Sequence, residues 1–426
     1  MIVFVINKHG EVLMPCSNRK ARILLKDEKA KIVNYKPFTI QLLYGSTGYK
    51  QETRLGVDTG SKHIGIAITS ANIVLAKGQI DLRQDVKQLL ETRKIMRRGR
   101  RNRLRYRKVR FLNRKRPEGW LPPSVQSRVD NTVNWINKFY RLLPKCSLTI
   151  EVAKFDIQKI ENPEIEGTDY QQGTMYDYRN RVAYLIAREN CKCQYCKESY
   201  KKGDGWKLHH IWGKSKDRPQ DWALLHESCH KELHSKCQEK LLQNKKSKSY
   251  KESTFMSIIR KRLFTLFLNA SFTYGNITFQ DRCDLRLDKS HYNDAIAISG
   301  IKSIKNNLDD VFLIKQFRKK KRSLHEATAR KGRKIKNTES KRNSKNTKEQ
   351  SGIFLNDCVR ILGRLGFVSG FTSGGCYVKD VFDKYIQISS KSYKQINTSL
   401  IEVISHNNNW QFISHLKEGD FLPEVG

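Results

Sequence analysis

Cysteine and histidine gather in one stretch of the chain at spacings that suit a metal. Cys193-x2-Cys196 is followed, after 29 intervening residues, by His226-x2-Cys229. Two such knuckles supply four tetrahedral ligands, the donor set of a closed structural Zn²⁺ site. Four further histidines, His209, His210, His230 and His234, fall in a single 26-residue window, more than the first metal can use. Adjacent residues of a strand point to opposite faces, so His209 and His210 have different tasks. The economical assignment gives His209 and His230 a second, catalytic cation, with His234 one helical turn beyond His230. His210 then remains as the imidazole able to deprotonate a water. The bland alternative is a zinc ribbon with spare histidines, and Cys191 is an alternative ligand to Cys193.

Carboxylates form a second set. Asp58 ends the apolar run Leu55-Gly56-Val57 before the turn Thr59-Gly60-Ser61-Lys62, and Glu151 lies inside the hydrophobic run around Ile150. A carboxylate in a buried strand is costly unless paired or metal-bound. In His291-Tyr292-Asn293-Asp294 the histidine and aspartate are three apart, hence on one face of a helix. Three carboxylates and a histidine from separate elements could hold two Mg²⁺ ions for phosphodiester hydrolysis. Taken alone, the Asp58 turn also fits the phosphate-binding turn of actin-like sugar kinases, or a plain turn. The second strand carboxylate, the His-x2-Asp helix and the charge of the chain favour the nuclease.

That charge is large. Lys and Arg number 82 against 42 Asp and Glu, a net +40 over 426 residues of which 38% are hydrophobic. The chain has enough apolar residues for real cores, and its length suggests two to four units. The excess of cations argues against a free small-molecule enzyme and for a polyanion partner, nucleic acid before a membrane surface. No signal peptide and no run of about 18 uncharged apolar residues is read. The ten cysteines show no secretory context, which fits a reducing cytoplasm.

The positioning elements follow from pattern. Residues 1–50 read as a strand (2–6), a helix from Arg19 to Val33 and a strand (37–44). The runs flanking Gly60 and Ser61 read as a hairpin. Fourteen of the 24 residues from Arg93 to Arg116 are Lys or Arg, none is acidic, and the stretch reads as a helix too charged for a core. Pro122 to Leu143 is an amphipathic helix, residues 147–153 a buried strand, 161–180 a linker, Thr254 to Phe267 a helix, and Ala270 to Phe279 a strand. A helix starts near Ser290. Residues 315–348 carry 15 Lys/Arg against Glu326 and Glu339 and read as a basic linker, either an RNA-contacting segment or a DNA tether. The last 75 residues read as short strands with Gly-rich turns.

The Cys/His block resembles the HNH (ββα-metal) nuclease module in its zinc-knuckle form: paired histidines followed by isoleucine, a loop, then Cys-His heading a helix. The resemblance implies that His210 is the general base, that His209 and His230 hold a divalent ion, and that Cys193, Cys196, His226 and Cys229 hold structural zinc. His226 stands where cysteine is usual, and Asp221 where the family has the asparagine that shapes the loop and orients the base. Asp58, Glu151, His291 and Asp294 resemble a split RuvC domain of ribonuclease-H-like fold, with the arginine-rich helix after its first segment and the HNH module inserted before its third. That order is similar to RNA-guided effectors, the type II CRISPR nucleases and their smaller transposon-encoded relatives, the IscB family. The short stretch between Arg116 and Glu151 selects the IscB family. Val12-Leu13-Met14-Pro15, Tyr170-Gln171-Gln172-Gly173-Thr174 and Ser290-His291-Tyr292-Asn293-Asp294-Ala295 read as text of the same family.

The resemblance implies an α/β multidomain protein: a PLMP-like N-terminal domain (1–52), RuvC segments at 53–82, 120–160 and 251–312, and an arginine-rich bridge helix (83–119). Linkers and the HNH module span 161–250 (core 191–235), followed by a basic linker (313–350) and a β-rich module for flanking-motif recognition (351–426). Mg²⁺ or Mn²⁺ would sit at both nuclease centres, with Asp58, Glu151, Asp294, His209 and His230 as ligands. Arg97, Arg98, Arg100, Arg101, Arg103, Arg105, Arg107 and Arg110 would grip phosphates of a long structured guide RNA and the duplex it forms with a DNA target. The chain is expected to be monomeric within the ribonucleoprotein, cytoplasmic and nucleoid-associated when bound. The bridge helix has a bland alternative too, a solvated helix or a localisation signal. Two rivals differ in class: a transposon-borne HNH/RuvC nuclease that reads DNA directly, and a catalytically idle zinc-containing RNA-binding protein.

Overall fold

The computed structural model describes residues 2–417 except 49, 104–116, 156–157, 160–163, 168–174, 200–201, 215–216, 244–249, 307, 318–348, 373 and 389–393. It divides into two compact units, one of residues 1–153 with 258–426 and one of residues 154–257.

The first unit begins with a four-stranded sheet, order β2-β1-β4-β3, from Ile2–Ile6 (β1), Val12–Ser17 (β2), Ala30–Tyr35 (β3) and Phe38–Leu42 (β4), carrying helix α1 (Asn18–Lys26). The helix expected over Arg19 to Val33 therefore stops early. Asp27 caps it, Glu28 takes a left-handed φ of 54°, and the β-branched run Ile32-Val33 pairs with β4 instead. Propensity yields here to a partner strand.

Strands β5 (Thr53–Thr59), β6 (His63–Ser70) and β7 (Ile73–Asp81) form an antiparallel meander, which includes the expected hairpin. Helix α2 (Val86–Arg103) carries the first part of the arginine-rich stretch, and the expected remainder, from residue 104 to 116, lies outside the described residues. Helix α3 (Pro123–Tyr140) buries Val129, Trp135, Ile136 and Phe139 and leads into β8 (Cys146–Glu151).

The second unit contains α4 (Arg181–Arg188), the hairpin β9 (Trp206–His210) and β10 (Trp222–His226), and α5 (Glu227–Ser235). Helix α6 (Lys251–Leu266) follows.

The first unit resumes at Ile258, within α6, and continues with β11 (Ser271–Thr273), α7 (Gly275–Asp284), α8 (His291–Ile298) and β12 (Asp310–Gln316). The expected strand from Ala270 to Phe279 is thus three residues of strand and then a helix. Burial of Thr278 and Arg282, four apart on α7, shows which period won. Residues 349–417 supply β13 (Glu349–Gln350), β14 (Ile353–Phe354), β15 (Cys358–Ile361), β16 (Arg364–Thr372), β17 (Gly375–Lys379), β18 (Gln395–Ile396), β19 (Glu402–Ser405) and β20 (Trp410–Lys417). The expectation of short strands holds. Five of them form a sheet of order β18-β17-β16-β15-β19, while β20 joins the large sheet.

That large sheet has seven strands, β11-β8-β5-β6-β7-β12-β20, in which β11, β8 and β5 are parallel and β6 is antiparallel to its neighbours. Phe139 of α3 stacks on Phe312 of β12, and Phe312 on Phe412 of β20, with centroids 5.6 and 5.4 Å apart. Helix α8 covers β5 and β6 at very short range. A Cβ on Gly56 would lie 2.0 Å from the Ala295 carbonyl oxygen, and one on Gly65 1.8 Å from that of His291. Only glycine admits that approach. Among the described residues, no helix is long and apolar enough to cross a membrane.

Candidate metal and nuclease centres

The large sheet brings the carboxylates together. Asp58 and Glu151 are direct partners in the parallel register of β5 and β8, so their side chains leave the same face at the same level. Helix α8 delivers the rest. Ser290 caps it by accepting from the Asn293 N–H, and His291 and Asp294 stand on its first turn. His291 Nδ1 lies 2.5 Å from Asp58 Oδ2, and Arg282 of α7 holds Asp294 Oδ1 at 2.8 Å.

Like charges packed this way resist ionisation. Burial, and after it the Asp58 carboxylate, pushes Glu151 up to about 7, against a hydrogen bond from Thr278. Burial and Asp58 likewise push Asp294 up to about 6, against Arg282. No three ligand atoms of Asp58, Glu151, His291 and Asp294 lie within 4.8 Å of one another, yet carboxylates that keep protons near neutrality are hard oxygen donors of the kind a divalent cation takes.

The Cys/His block separates into two donor sets. One ligand atom each from Cys193, Cys196, His226 and Cys229 lies within 4.8 Å of the others. His226 Nε2 faces the Ser199 carbonyl at 3.0 Å, which turns Nδ1 toward the Cys196 and Cys229 sulfurs at 3.4 and 3.8 Å. A histidine ligand is commonly fixed through its other nitrogen in this way. Burial and the neighbouring thiols push Cys229 up to about 12. Four convergent N/S donors, three of them buried, fit Zn²⁺ in kind and number. Cys191 is exposed, has a left-handed φ of 56° and stands outside this group.

The second set is His209, His230 and His234, again within 4.8 Å. His209 is buried on β9, and the other two stand four apart on α5. Burial, then His234, lowers His230, and a neutral imidazole is the form that binds metal. His234 is therefore a full member of the set rather than a neighbour of it.

His210 leaves β9 on the opposite face, as the alternation requires. Its Nε2 meets Asp217 Oδ1 at 3.1 Å, and Asp217 also accepts from Trp222 Nε1 at 2.9 Å and from Arg181 Nη1 at 2.9 Å. Burial works to raise Asp217, yet these three hydrogen bonds hold it below the usual carboxylate range. Asp221, the position noted for its departure from asparagine, is buried against Arg218 at 3.0 Å, and its carbonyl accepts from the Ile211 N–H. Asp221 thus pins the loop while Asp217 contacts His210. Sequence reading missed Asp217, Arg282 and Thr278. Only Arg282 left a trace, at helical spacing from Thr278.

The basic residues are only partly described. Arg97 and Arg98 are exposed on α2. Arg100, Arg101 and Arg103 lie on the same helix, and Arg105, Arg107 and Arg110 lie outside the described residues, as does Tyr170 to Thr174.

Comparison with known proteins adds two family models. Residues 3–173 match the RRXRR protein family and residues 193–236 the HNH endonuclease family. The chain therefore carries an HNH endonuclease module. No curated protein matches the chain. Among solved structures, Streptococcus thermophilus Cas9 in complex with the GGAA PAM is 15% identical over 57% of this chain and 33% of its own, at a TM-score of 0.33. The same enzyme in complex with AGGA PAM is 14% identical over 42% of this chain and 26% of its own, at 0.27. The type II-C Cas9 from Actinomyces naeslundii is 10% identical over 59% of this chain and 60% of its own, at 0.23. This chain thus spans between about a quarter and three fifths of those chains.

Two outcomes follow. Cys196→Ser or Cys229→Ser should release one zinc per chain and unfold the module, because a closed site contributes folding free energy directly. His210→Ala should keep both zinc and fold, by metal analysis and limited proteolysis. The second outcome concerns pH. Glu151, ordinarily near 4.5, is raised to about 7, so the metal-free folded chain binds more protons than the unfolded one between those values. Its ionisation therefore costs stability as pH rises through that window. A divalent cation held by these carboxylates would displace those protons, so calorimetric titration with Mg²⁺ in buffers of different ionisation heat should show proton release at pH 6.5 that fades by pH 8. Asp58→Asn should diminish that release.

Proposed function

Starting from a chain that carries an HNH endonuclease module, we propose an RNA-guided DNA endonuclease of the IscB kind. In this reading a guide RNA pairs with one DNA strand, the HNH module cuts that strand, and a RuvC-like centre cuts the displaced one. One observation carries it. The carboxylate centre is assembled from β5 and β8, which precede the HNH module, and from α8, which follows it. A single nuclease sheet interrupted by a second nuclease module has little purpose unless two strands are to be cut. The order β7-β6-β5-β8-β11, with β6 alone antiparallel, supports the ribonuclease-H-like assignment and the three-segment boundaries given above.

At the HNH module, His210 gives Nε2–H to Asp217, so Nδ1 keeps the lone pair that takes a proton from water. His209, His230 and His234 would hold the divalent ion. At the sheet, Asp58, Glu151 and Asp294 would hold Mg²⁺ or Mn²⁺, with Arg282 and Thr278 orienting two of the three. A bound ion there would supply charge neutralisation at the phosphate and a more acidic water. His291, with Nδ1 engaged by Asp58, offers its second nitrogen for proton transfer. The arginines of α2 and of the stretch beyond it would hold the guide through its phosphates without reading its sequence. In this reading the protein works in a prokaryotic cytoplasm.

The test is reconstitution. Protein stripped of RNA, given a DNA duplex and Mg²⁺, should cut site-specifically only with a matching guide. Replacing Arg97, Arg98, Arg101 and Arg105 by Ala should weaken RNA binding for any sequence and flatten its salt dependence by roughly 0.7 to 0.9 per contact. Site-specific double-strand cleavage without RNA would leave a nuclease that recognises DNA directly.

A further inference from the structure

The carboxylate centre does not account for the polar row on its face of the sheet. Residues directly opposite one another on adjacent strands share a face. Glu151 pairs with Asp58 across β8 and β5, and Asp58 with Gly65 across β5 and β6. Gly65 pairs with Gln79 and His63 with Asp81 across β6 and β7. His63, two residues before Gly65, therefore points to the same face, one strand over and diagonal to Asp58, a separation of about 7 to 8 Å.

Its surroundings are built for it. Nδ1 of His63 donates to Asp81 Oδ1 at 2.7 Å, and Gln79 Nε2 donates to the same carboxylate oxygen at 2.9 Å, fixing it from a second side. Asp81 is held below the usual carboxylate range: burial opposes this, but the hydrogen bond and charge of His63, with Gln79 and Lys315, prevail. The His63 ring stands 5.7 Å, centroid to centroid, from that of His291. The turn is shaped for that approach, since a Cβ on Gly60 would lie 2.3 Å from the His63 carbonyl oxygen and 3.5 Å from His291 Cε1. His63 and His291 are thus two partly exposed imidazoles, side by side, each anchored through Nδ1 by its own carboxylate.

We propose that His63, held by Asp81, is a substrate-contacting residue of this centre, whose Nε2 hydrogen-bonds a phosphate oxygen of the strand being cut. The proposal rests on the RuvC-like reading above. Asp81 acts through His63 and is a positioning residue.

Two isosteres separate contact from structure. In His63→Asn the amide nitrogen takes the place of Nδ1, preserving the bond to Asp81 but removing Nε2. In His63→Gln the amide nitrogen takes the place of Nε2, preserving the donor toward the strand but not the anchor. With the guide-loaded protein and a duplex labelled on each strand, His63→Asn should slow displaced-strand cutting roughly tenfold to a hundredfold, the size of one charge-assisted hydrogen bond. His63→Gln should recover most of that rate. Cutting of the paired strand should stay unchanged in both, which also reports that the chain is folded. Equal rates for His63→Asn and wild type, or His63→Asn faster than His63→Gln, would overturn the proposal. Should His63→Asn lose both cuts, Asp81→Asn decides. It should slow the displaced-strand cut alone, and no slowing would overturn the proposal. Asp58→Ala run alongside tests the parent reading, because displaced-strand cutting that survives that change removes the centre itself.

Discussion

Two carboxylates in register on adjacent parallel strands are the constraint around which the large sheet is organised. Asp58 and Glu151 are brought level by the pairing of β5 with β8, and α8 then adds Asp294 above them. Nothing in a hydrophobic sheet tolerates three such groups without compensation. Arg282 and Thr278 offset part of the cost, and residual protonation of Glu151 near neutrality offsets more. A cation would remove what is left. Helix α8 reaches this position because Gly56 and Gly65 present bare backbone to it. An alanine at either site would meet a carbonyl oxygen at a distance no relaxation of one side chain relieves, and lifting α8 would carry His291 and Asp294 away.

The HNH module solves the opposite problem. Its apolar clusters are small, one built of Cys193, Leu225, Cys229 and Leu233, the other of Leu185, Trp222 and Leu224. A core of that size supplies little stability, and metal ligation by the four Cys/His donors would add to it. The alternation of β9 then divides the adjacent histidines, His209 toward α5 and its histidines, His210 toward Asp217. One strand thereby gives two neighbouring histidines different surroundings, one among histidines and one against a carboxylate.

Much of this was readable from the chain. Asp58 before a Gly/Ser turn, Glu151 in an apolar run and Ser290 before a His-x2-Asp helix all have local signatures, and each element formed where its pattern lies. What escaped was partnership across distance. Thr273 to Phe279 has β-branched residues suited to a strand, yet most of it is helix because Thr278 and Arg282 must face Glu151 and Asp294. Asp217 sits in a loop with no periodicity, and only folding reveals that it collects His210, Trp222 and Arg181. Ile32-Val33 continued a helical pattern and became a strand once β4 stood beside it. The unread residues are those whose reason lies in another segment.

In the proposed function two separate centres each cut one strand. Guide-loaded protein, a duplex labelled on each strand and the changes Asp58→Ala and His210→Ala, alone and together, test it in one gel. Asp58→Ala should cut only the guide-paired strand, His210→Ala only the displaced strand, and the double change neither. Loss of both cuts in a folded, zinc-containing Asp58→Ala protein, or survival of both, would contradict the account.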